Sequence, residues 1–217
     1  MTNYHSLRVT APVFALAMCL GLGACGSAPE TAQSEAAPAA GLPEGWAVRA
    51  DSGPGTENQL MMADGAYHFK LADNAVFYNP AWTSTGDHTF SATLTQTAKA
   101  SHPTSYGLMF GGSNLDNDMQ MYSYFLVRQS GEYYVATRNG ADVTTVVPWT
   151  ANAAIMAEGA DGTQVNTLSV QVAGDQVIFS INGAEVNRLP AAGLHASGLN
   201  GFRIGHRLEI TASNVTN

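Results

Sequence analysis

Hydrophobic and polar residues alternate with a period of two along much of the chain beyond residue 42. Such alternation is typical of β-strands that turn one face to a core and the other to water. It is clearest in three segments, where apolar residues occupy every second position: Phe90, Ala92 and Leu94; Leu168, Val170 and Val172; Val177, Phe179 and Ile181. About a dozen segments have a strand pattern, and no segment has the pattern of a long amphipathic helix.

Short turn signals separate these segments. Gly174-Asp175 and Asn182-Gly183 both follow apolar alternating runs, and Asn139-Gly140 ends another. Asn-Gly is the strongest short hairpin signal, because a type I′ turn needs positive φ at two successive residues. Strands at this spacing, without helices between them, predict a β-sandwich or β-barrel.

One predicted hairpin has a face rich in tyrosine. Ser130-Gly131 joins Met121–Gln129 to Glu132–Arg138, and a two-residue loop there pairs Gln129 with Glu132. One face then carries Tyr122, Tyr124, Leu126, Arg128, Tyr133 and Val135, and the other carries Phe125, Val127, Tyr134 and Ala136. The second set is the better core, so the first set is expected on the outward or concave face. A slip of one residue would exchange the faces.

The first 24 residues have the pattern of a bacterial secretion signal. Val9 to Gly23 is a run of about fifteen mostly apolar residues, too short for a membrane span of about 20. The run ends in Leu22-Gly23-Ala24-Cys25, which resembles the lipobox of bacterial lipoproteins. The resemblance implies that the signal is removed and that Cys25 is acylated, which anchors the protein to a membrane. An ordinary secretion signal with a chance cysteine is the alternative.

The lipoprotein interpretation also indicates a location and a domain order. Gly26 is not the Asp that typically retains such lipoproteins at the inner membrane, so the outer membrane of a Gram-negative bacterium is favoured. Residues 25–41, rich in Ala, Pro, Ser and Glu, are expected to form a flexible linker. Residues 42–217 are long enough to form one hydrophobic core.

The charge balance narrows the choice of partners. The chain has 9 Lys+Arg, 17 Asp+Glu and a formal net charge of −8. So few cations argue against a nucleic-acid partner, which requires a clustered basic surface. Loss of Cys19 with the signal, together with acylation of Cys25, would leave no disulfide.

Several short segments occur in an order found in a known fold: Tyr106–Gly112, Tyr122–Arg128, Arg138–Gly140, Trp149, Asn166–Val170, Phe179–Gly183 and Gly201–Gly205. This order resembles the concanavalin A-like lectin/glucanase jelly roll, and specifically the laminin-G-like domains related to bacterial 3-keto-disaccharide hydrolases. The resemblance covers roughly residues 45–217. It implies an all-β, antiparallel two-sheet jelly-roll sandwich, in a superfamily that includes lectins and glycosidases.

The catalytic motif of the superfamily's glucanases is absent from this sequence. That motif is a Glu-x-Asp-x-x-Glu run on a central strand, and retaining hydrolysis needs two carboxyl groups about 5–5.5 Å apart. Met121–Gln129 contains no carboxylate, and Glu132, Glu185 and Glu209 lie on different predicted strands. No residue is therefore nominated as catalytic.

One loop holds a local cluster of oxygen ligands. Asn114, Asp116 and Asp118 could contribute to a calcium site, since Ca²⁺ takes 6–8 oxygen ligands. A polar turn is the alternative. The histidines show no metal-binding spacing and are expected to be surface or loop residues: His68, His88, His102, His195 and His206.

Flat aromatic rings combined with a few polar groups are typical of sugar-binding surfaces. The candidate ligand-binding residues are Tyr122, Tyr124, Arg128, Tyr133, Trp82 and Trp149, with core packing as the alternative for each aromatic. Three functions stay open: binding of a glycan or another envelope component without catalysis, hydrolysis of a glycoside or 3-keto-glycoside, and a structural role with an envelope protein. The missing carboxylate pair favours the first.

Overall fold

A computed structural model describes residues 41–217 of the chain, so the signal segment and Cys25 lie outside the described residues. The described part contains fourteen strands. They are β1 Ala47–Ala50, β2 Gln59–Ala63, β3 Ala66–Lys70, β4 Ala75–Ser84, β5 His88–Gln96, β6 Ser105–Ser113, β7 Met121–Arg128, β8 Glu132–Asn139, β9 Asp142–Ala151, β10 Gln164–Ala173, β11 Gln176–Ile181, β12 Ala184–Pro190, β13 Gly198–Ile204 and β14 Glu209–Thr216.

The strands form two antiparallel sheets of seven strands each. Sheet 1 has the order β1-β4-β13-β6-β7-β8-β9, and sheet 2 has the order β12-β11-β10-β5-β14-β3-β2. The last two strands are inserted between early ones, β13 between β4 and β6 and β14 between β5 and β3. This is a jelly-roll sandwich, and it confirms the predicted fold class. Within residues 41–217 no helix is long and apolar enough to span a bilayer.

The hydrophobic core lies between the two sheets. The alternating residues predicted to face inward on β5, β10 and β11 are buried there, and Phe90, Leu94 and Phe179 have no exposed surface. One part of the core is a cluster of aromatic rings, in which Phe202 is central. The cluster consists of Trp46, Tyr67, Phe69, Phe77, Trp82, Phe90 and Phe202.

Two hairpins of sheet 2 have the predicted turns. β10 and β11 are joined by Gly174-Asp175, with Ala173 paired to Gln176. β11 and β12 are joined by Asn182-Gly183, and both residues have positive φ, 50° and 82°. A type I′ turn requires this conformation.

The β7–β8 hairpin differs from the prediction by one residue. Arg128 pairs with Glu132, so the loop has three residues instead of two. The Gly131 N–H donates to the Arg128 carbonyl at 3.0 Å, and Gly131 has φ 78°, which is the geometry of a type I turn closed by a left-handed residue. The prediction for β8 was therefore wrong: Tyr133 faces the core, and Tyr134 lies on the same face as Tyr124.

Candidate functional site

The face of sheet 1 that points away from sheet 2, here called the outer face, carries a second apolar cluster. No further layer of strands within residues 41–217 covers this face. Its side chains nevertheless bury one another, and they are Val76, Tyr78, Met109, Leu115, Tyr122, Tyr124, Leu126 and Ala136. Four partly buried hydrophobic residues pack against this cluster, and they are Ala47, Tyr134, Trp149 and Leu199.

Four aromatic rings form a row across strands β7, β8 and β9 on the outer face. Trp149 and Tyr134 are stacked, with ring centres 4.9 Å apart and planes inclined by 24°. Tyr134 lies 6.0 Å from Tyr124, and Tyr124 lies 5.7 Å from Tyr122. Tyr122 and Tyr124 are buried, whereas Tyr134 and Trp149 are partly exposed. The accessible end of the row is therefore the Trp149–Tyr134 stack.

A bulge in β9 places Trp149 on this face. Tyr133 pairs with Thr150 and Val135 pairs with Val147, so β9 has one residue more than β8 between these pairs. Val147 consequently packs in the core while Trp149 packs with the outer cluster. Bulges commonly redirect side chains near binding sites, and an edge strand tolerates the Pro148 that lies within this one.

Two arginines contact the aromatic row. The guanidinium carbon of Arg128 lies 4.3 Å from the centre of the Trp149 ring, and that of Arg203 lies 5.3 Å from the centre of the Tyr124 ring. Arg203 also donates to the Tyr122 hydroxyl at 3.2 Å. Cation–π contacts hold both guanidinium groups against the rings. Their remaining N–H groups can donate to hydroxyl or carboxyl oxygens of a ligand.

The carboxylates near the row are paired with arginine. Asp51 pairs with Arg203, Glu132 with Arg128, and Asp118 with Arg49. The Ser130 hydroxyl and Arg128 lower the pKa of Glu132 below its ordinary value. A general acid needs the opposite shift. This arrangement orients guanidinium groups for binding and keeps Glu132 ionised.

The two buried tyrosines of the aromatic row, Tyr122 and Tyr124, stay neutral at physiological pH. Burial raises the pKa of Tyr124 to about 12, although Arg203 opposes the shift. Burial also raises the pKa of Tyr122, again opposed by Arg203. Both phenols therefore keep their protons. The Tyr124 side chain lines the cleft described below, where its hydroxyl can donate to a neutral polar ligand.

A cleft of about 290 Å³ opens at this part of the outer face. Its lining residues are Asn74, Ser105, Tyr124, Leu126, Tyr134, Trp149, Arg203, Ile204 and Gly205. The cleft combines one aromatic wall with convergent polar groups, the combination typical of small-ligand sites. It is slightly smaller than the range of about 300–1,000 Å³ for drug-sized ligands, which suits one ring of a sugar chain.

The structure brings four of the six candidate ligand-binding residues together: Tyr122, Tyr124, Arg128 and Trp149. The other two lie apart from them. Tyr133 packs in the core with 3% of its surface exposed, because the β7–β8 loop has three residues. Trp82 packs against Trp46, with ring centres 4.9 Å apart, on the inner side of sheet 1.

Sequence reasoning missed Tyr134 and Arg203 as members of the site. Gly131 was the available signal for Tyr134, since a glycine at the third position of a three-residue loop is the mark of that hairpin type. Arg203 joins the site because β13 is inserted between β4 and β6, although it lies 79 residues beyond Tyr124. No local pattern in the sequence indicates that Arg203 and Tyr124 are neighbours in the folded protein.

The candidate calcium loop lies between β6 and β7. Its side chains bond mainly within the loop: Asn117 donates to Asp116 at 2.9 Å, and Asn114 donates to the Met119 carbonyl. Asp118 lies 3.3 Å from the Arg49 guanidinium, a cation that competes with a metal ion. Among residues 41–217 no three His, Cys, Asp or Glu side chains converge as metal ligands. Calcium binding here stays a prediction.

A second cleft, of about 230 Å³, lies on sheet 2 and is bordered by β2, β3 and β14. Met61, His68 and Lys70 contribute to its wall. It has no stacked aromatic wall comparable to the Trp149–Tyr134 pair. The outer face of sheet 1 is therefore the stronger candidate site.

Comparisons with known proteins agree with the fold. No protein-family model and no curated protein matches the chain. The carbohydrate-binding module CBM66 from Bacillus subtilis is 12% identical, with a TM-score of 0.59 over 79% of this chain and 94% of the module. The β-glucanase of Bacillus licheniformis is 10% identical, with a TM-score of 0.53 over 83% of this chain and 96% of the enzyme. At these identities the likeness shows a shared jelly-roll fold.

Proposed function

We propose that the outer face of sheet 1 binds a glycan, with a sugar ring packed on the Trp149–Tyr134 stack. The observation that carries the proposal is this partly exposed stack, with Arg128 against Trp149 and Arg203 in the adjoining cleft. One side of a sugar ring presents C–H groups that pack on aromatic faces, while the hydroxyl groups at its edge need hydrogen-bond partners. Arg128, Arg203 and the Tyr124 hydroxyl supply donors at the edge of the stack.

The fold likeness supports this proposal without identifying the sugar. CBM66 is a carbohydrate-binding module by name, and its fold matches most of this chain. The β-glucanase shares the fold too, so the fold alone does not choose between binding and hydrolysis. The chemistry of the outer face supports binding. Since Asp51, Asp118 and Glu132 each pair with an arginine, we propose binding without hydrolysis.

Tryptophan fluorescence tests the proposal on the full chain. Trp46 and Trp82 pack between the sheets, so a sugar on the outer face should change the emission of Trp149 alone. Titration with a panel of neutral and acidic oligosaccharides is expected to give a saturable change with at least one of them. Trp149→Ala removes the fluorophore that reports binding, so its affinity is measured by isothermal titration calorimetry. The variant should bind the same oligosaccharide at least about tenfold more weakly, which corresponds to about 1.4 kcal/mol.

Trp82→Phe is the matched control, because it removes a tryptophan of similar partial burial from the other side of the sheet. It should leave affinity and the fluorescence change intact. A panel with no saturable response would contradict glycan binding and favour the protein-partner role. Release of reducing ends from a bound oligosaccharide would contradict the absence of hydrolysis.

We further propose that Cys25 carries the lipid that anchors this domain to the cell envelope. The support is the sequence Leu22-Gly23-Ala24-Cys25 at the end of the apolar run. Growth with labelled palmitate should label the protein, and Cys25→Ser should abolish the label and release the chain from the membrane fraction. Cys19→Ser, which changes a residue of the segment removed with the signal, should keep both the palmitate label and the membrane association. Unlabelled wild-type protein would refute the anchor.

A further inference from the structure

Two histidines from distant loops meet beside the cleft. His102 lies between β5 and β6, and His206 lies between β13 and β14, 104 residues further along the chain. Their Nε2 atoms are 2.7 Å apart, and their ring centres are 4.4 Å apart. Both side chains are partly buried, so they remain accessible to small solutes. Neither belongs to the aromatic row described above.

The other nitrogen of each ring is already engaged. Asn74 Oδ1 accepts from the His206 backbone N–H at 2.8 Å and lies 3.1 Å from His206 Nδ1. Because this oxygen is an acceptor, it assigns the ring proton to Nδ1 and leaves a lone pair on Nε2. Ser101 Oγ lies 2.9 Å from His102 Nδ1, and this hydroxyl can either accept from that nitrogen or donate to it. The two Nε2 atoms therefore face each other at hydrogen-bond distance, and a metal ion would replace the proton that they share.

We propose that His102 and His206 bind a divalent late transition-metal ion through their Nε2 atoms. Metal-binding histidines commonly donate the other ring N–H to an oxygen acceptor, as His206 does to Asn74. Imidazole is a preferred ligand of Cu²⁺, Ni²⁺ and Zn²⁺. Water would complete the coordination, since no third His, Cys, Asp or Glu of residues 41–217 joins the pair.

The order of affinities favours copper among these ions. The 2.7 Å between the two Nε2 atoms is also the length of an N–H···N hydrogen bond, so this spacing brings the two nitrogens together without selecting the metal. Tetragonal geometry with nitrogen ligands is typical of Cu²⁺ and Ni²⁺, and Cu²⁺ binds more tightly than the other first-row divalent ions.

The histidine pair lies next to the proposed sugar site, and neither histidine lines the cleft. Asn74 and Gly205 line the cleft, and they are the partner and the sequence neighbour of His206. An ion on the pair would therefore sit at one end of the cleft. The metal site does not depend on glycan binding, because it uses His102 and His206 and not Trp149 or Tyr134.

Titration of the full chain with Cu²⁺ tests the site, after its thiols have been blocked with N-ethylmaleimide. We expect one Cu²⁺ per chain, with an electron paramagnetic resonance spectrum that shows two nitrogen ligands. His102→Ala and His206→Ala should each weaken binding at least about tenfold, and Asn74→Ala about 10–100-fold through loss of ring orientation. His88→Ala is the control, since His88 contacts only the Gly86 carbonyl by side-chain hydrogen bonding among the described residues.

Circular dichroism checks that each variant is folded. Where an alanine variant does not fold, His102→Gln or His206→Gln replaces it in the titration. The glutamine variants keep most of the side-chain volume and should lose the two-nitrogen spectrum as well. Absence of Cu²⁺ binding by the wild type would overturn the proposal. So would wild-type affinity in a folded His102 or His206 variant, or an equal loss in His88→Ala. Each of these outcomes would mean that His102 and His206 only form a hydrogen bond between two loops.

Discussion

Replacing Phe202 with alanine is expected to destabilise the protein by about 3–5 kcal/mol. Phe202 has no exposed surface, and its ring centre lies 5.2 Å from that of Phe69 and 5.9 Å from that of Phe90. Trp46 and Trp82 are also within 6.2 Å of it. Alanine would leave a cavity surrounded by rigid rings that cannot close around it, so lost burial and lost dispersion contacts add together.

Urea unfolding followed by circular dichroism measures this effect as a lower midpoint at an unchanged slope. Phe202→Leu should destabilise less, since leucine fills part of the space. Met119→Ala is the control: Met119 is 70% exposed, and surface changes of this kind are usually within about 0.5 kcal/mol. A loss below about 1 kcal/mol for Phe202→Ala would show that the aromatic cluster does not organise the core as described.

Tyr133→Ala is expected to reduce stability and Tyr134→Ala is expected to reduce glycan affinity, although the two residues are neighbours in the chain. Tyr133 is buried between the sheets, donates its hydroxyl to the Val186 carbonyl at 3.2 Å and packs against Phe125. Its loss should reduce stability by about 3 kcal/mol. Tyr134 supports the sugar stack on the other face, so its loss should weaken glycan binding by about 2 kcal/mol, or about thirtyfold.

Stability is measured by urea unfolding, and affinity by titration with the oligosaccharide that gives the fluorescence response. Tyr133→Phe is a conservative control that keeps the packing and removes only the hydroxyl, so it should retain affinity. The alternative register, in which Tyr133 is on the outer face, predicts the reverse assignment of the two losses. A Tyr134→Ala variant with unchanged affinity would contradict the placement of the site, whatever its stability.

The side chains of the outer face are the basis for proposing binding without hydrolysis. Retaining hydrolysis of a glycoside needs two carboxyl groups about 5–5.5 Å apart. On the outer face, β7 presents Tyr122, Tyr124, Leu126 and Arg128, none of which is a carboxylate. These side chains can stack on a ligand or donate hydrogen bonds, and the proposed function rests on that chemistry.

The predicted strands and two of the hairpins were correct because their signals are local. Burial of alternate residues on β5, β10 and β11 requires only a period of two along the chain. The Asn182-Gly183 turn depends only on the backbone freedom of two residues. The β7–β8 register was wrong because Ser130-Gly131 suits both a two-residue and a three-residue loop. The choice between the two decides which face every residue of β8 occupies.

The sequence by itself determined the all-β class and the strand pattern, and it nominated four side chains that the structure brings together in the candidate site: Tyr122, Tyr124, Arg128 and Trp149. Only the tertiary structure decided which of them meet. A bulge orients Trp149, strand insertion brings Arg203 to Tyr124, and loop packing joins His102 to His206. Each of these contacts depends on the arrangement of strands that are far apart in the chain. Local periodicity carries no information on that arrangement, because it reports only the face on which a residue lies.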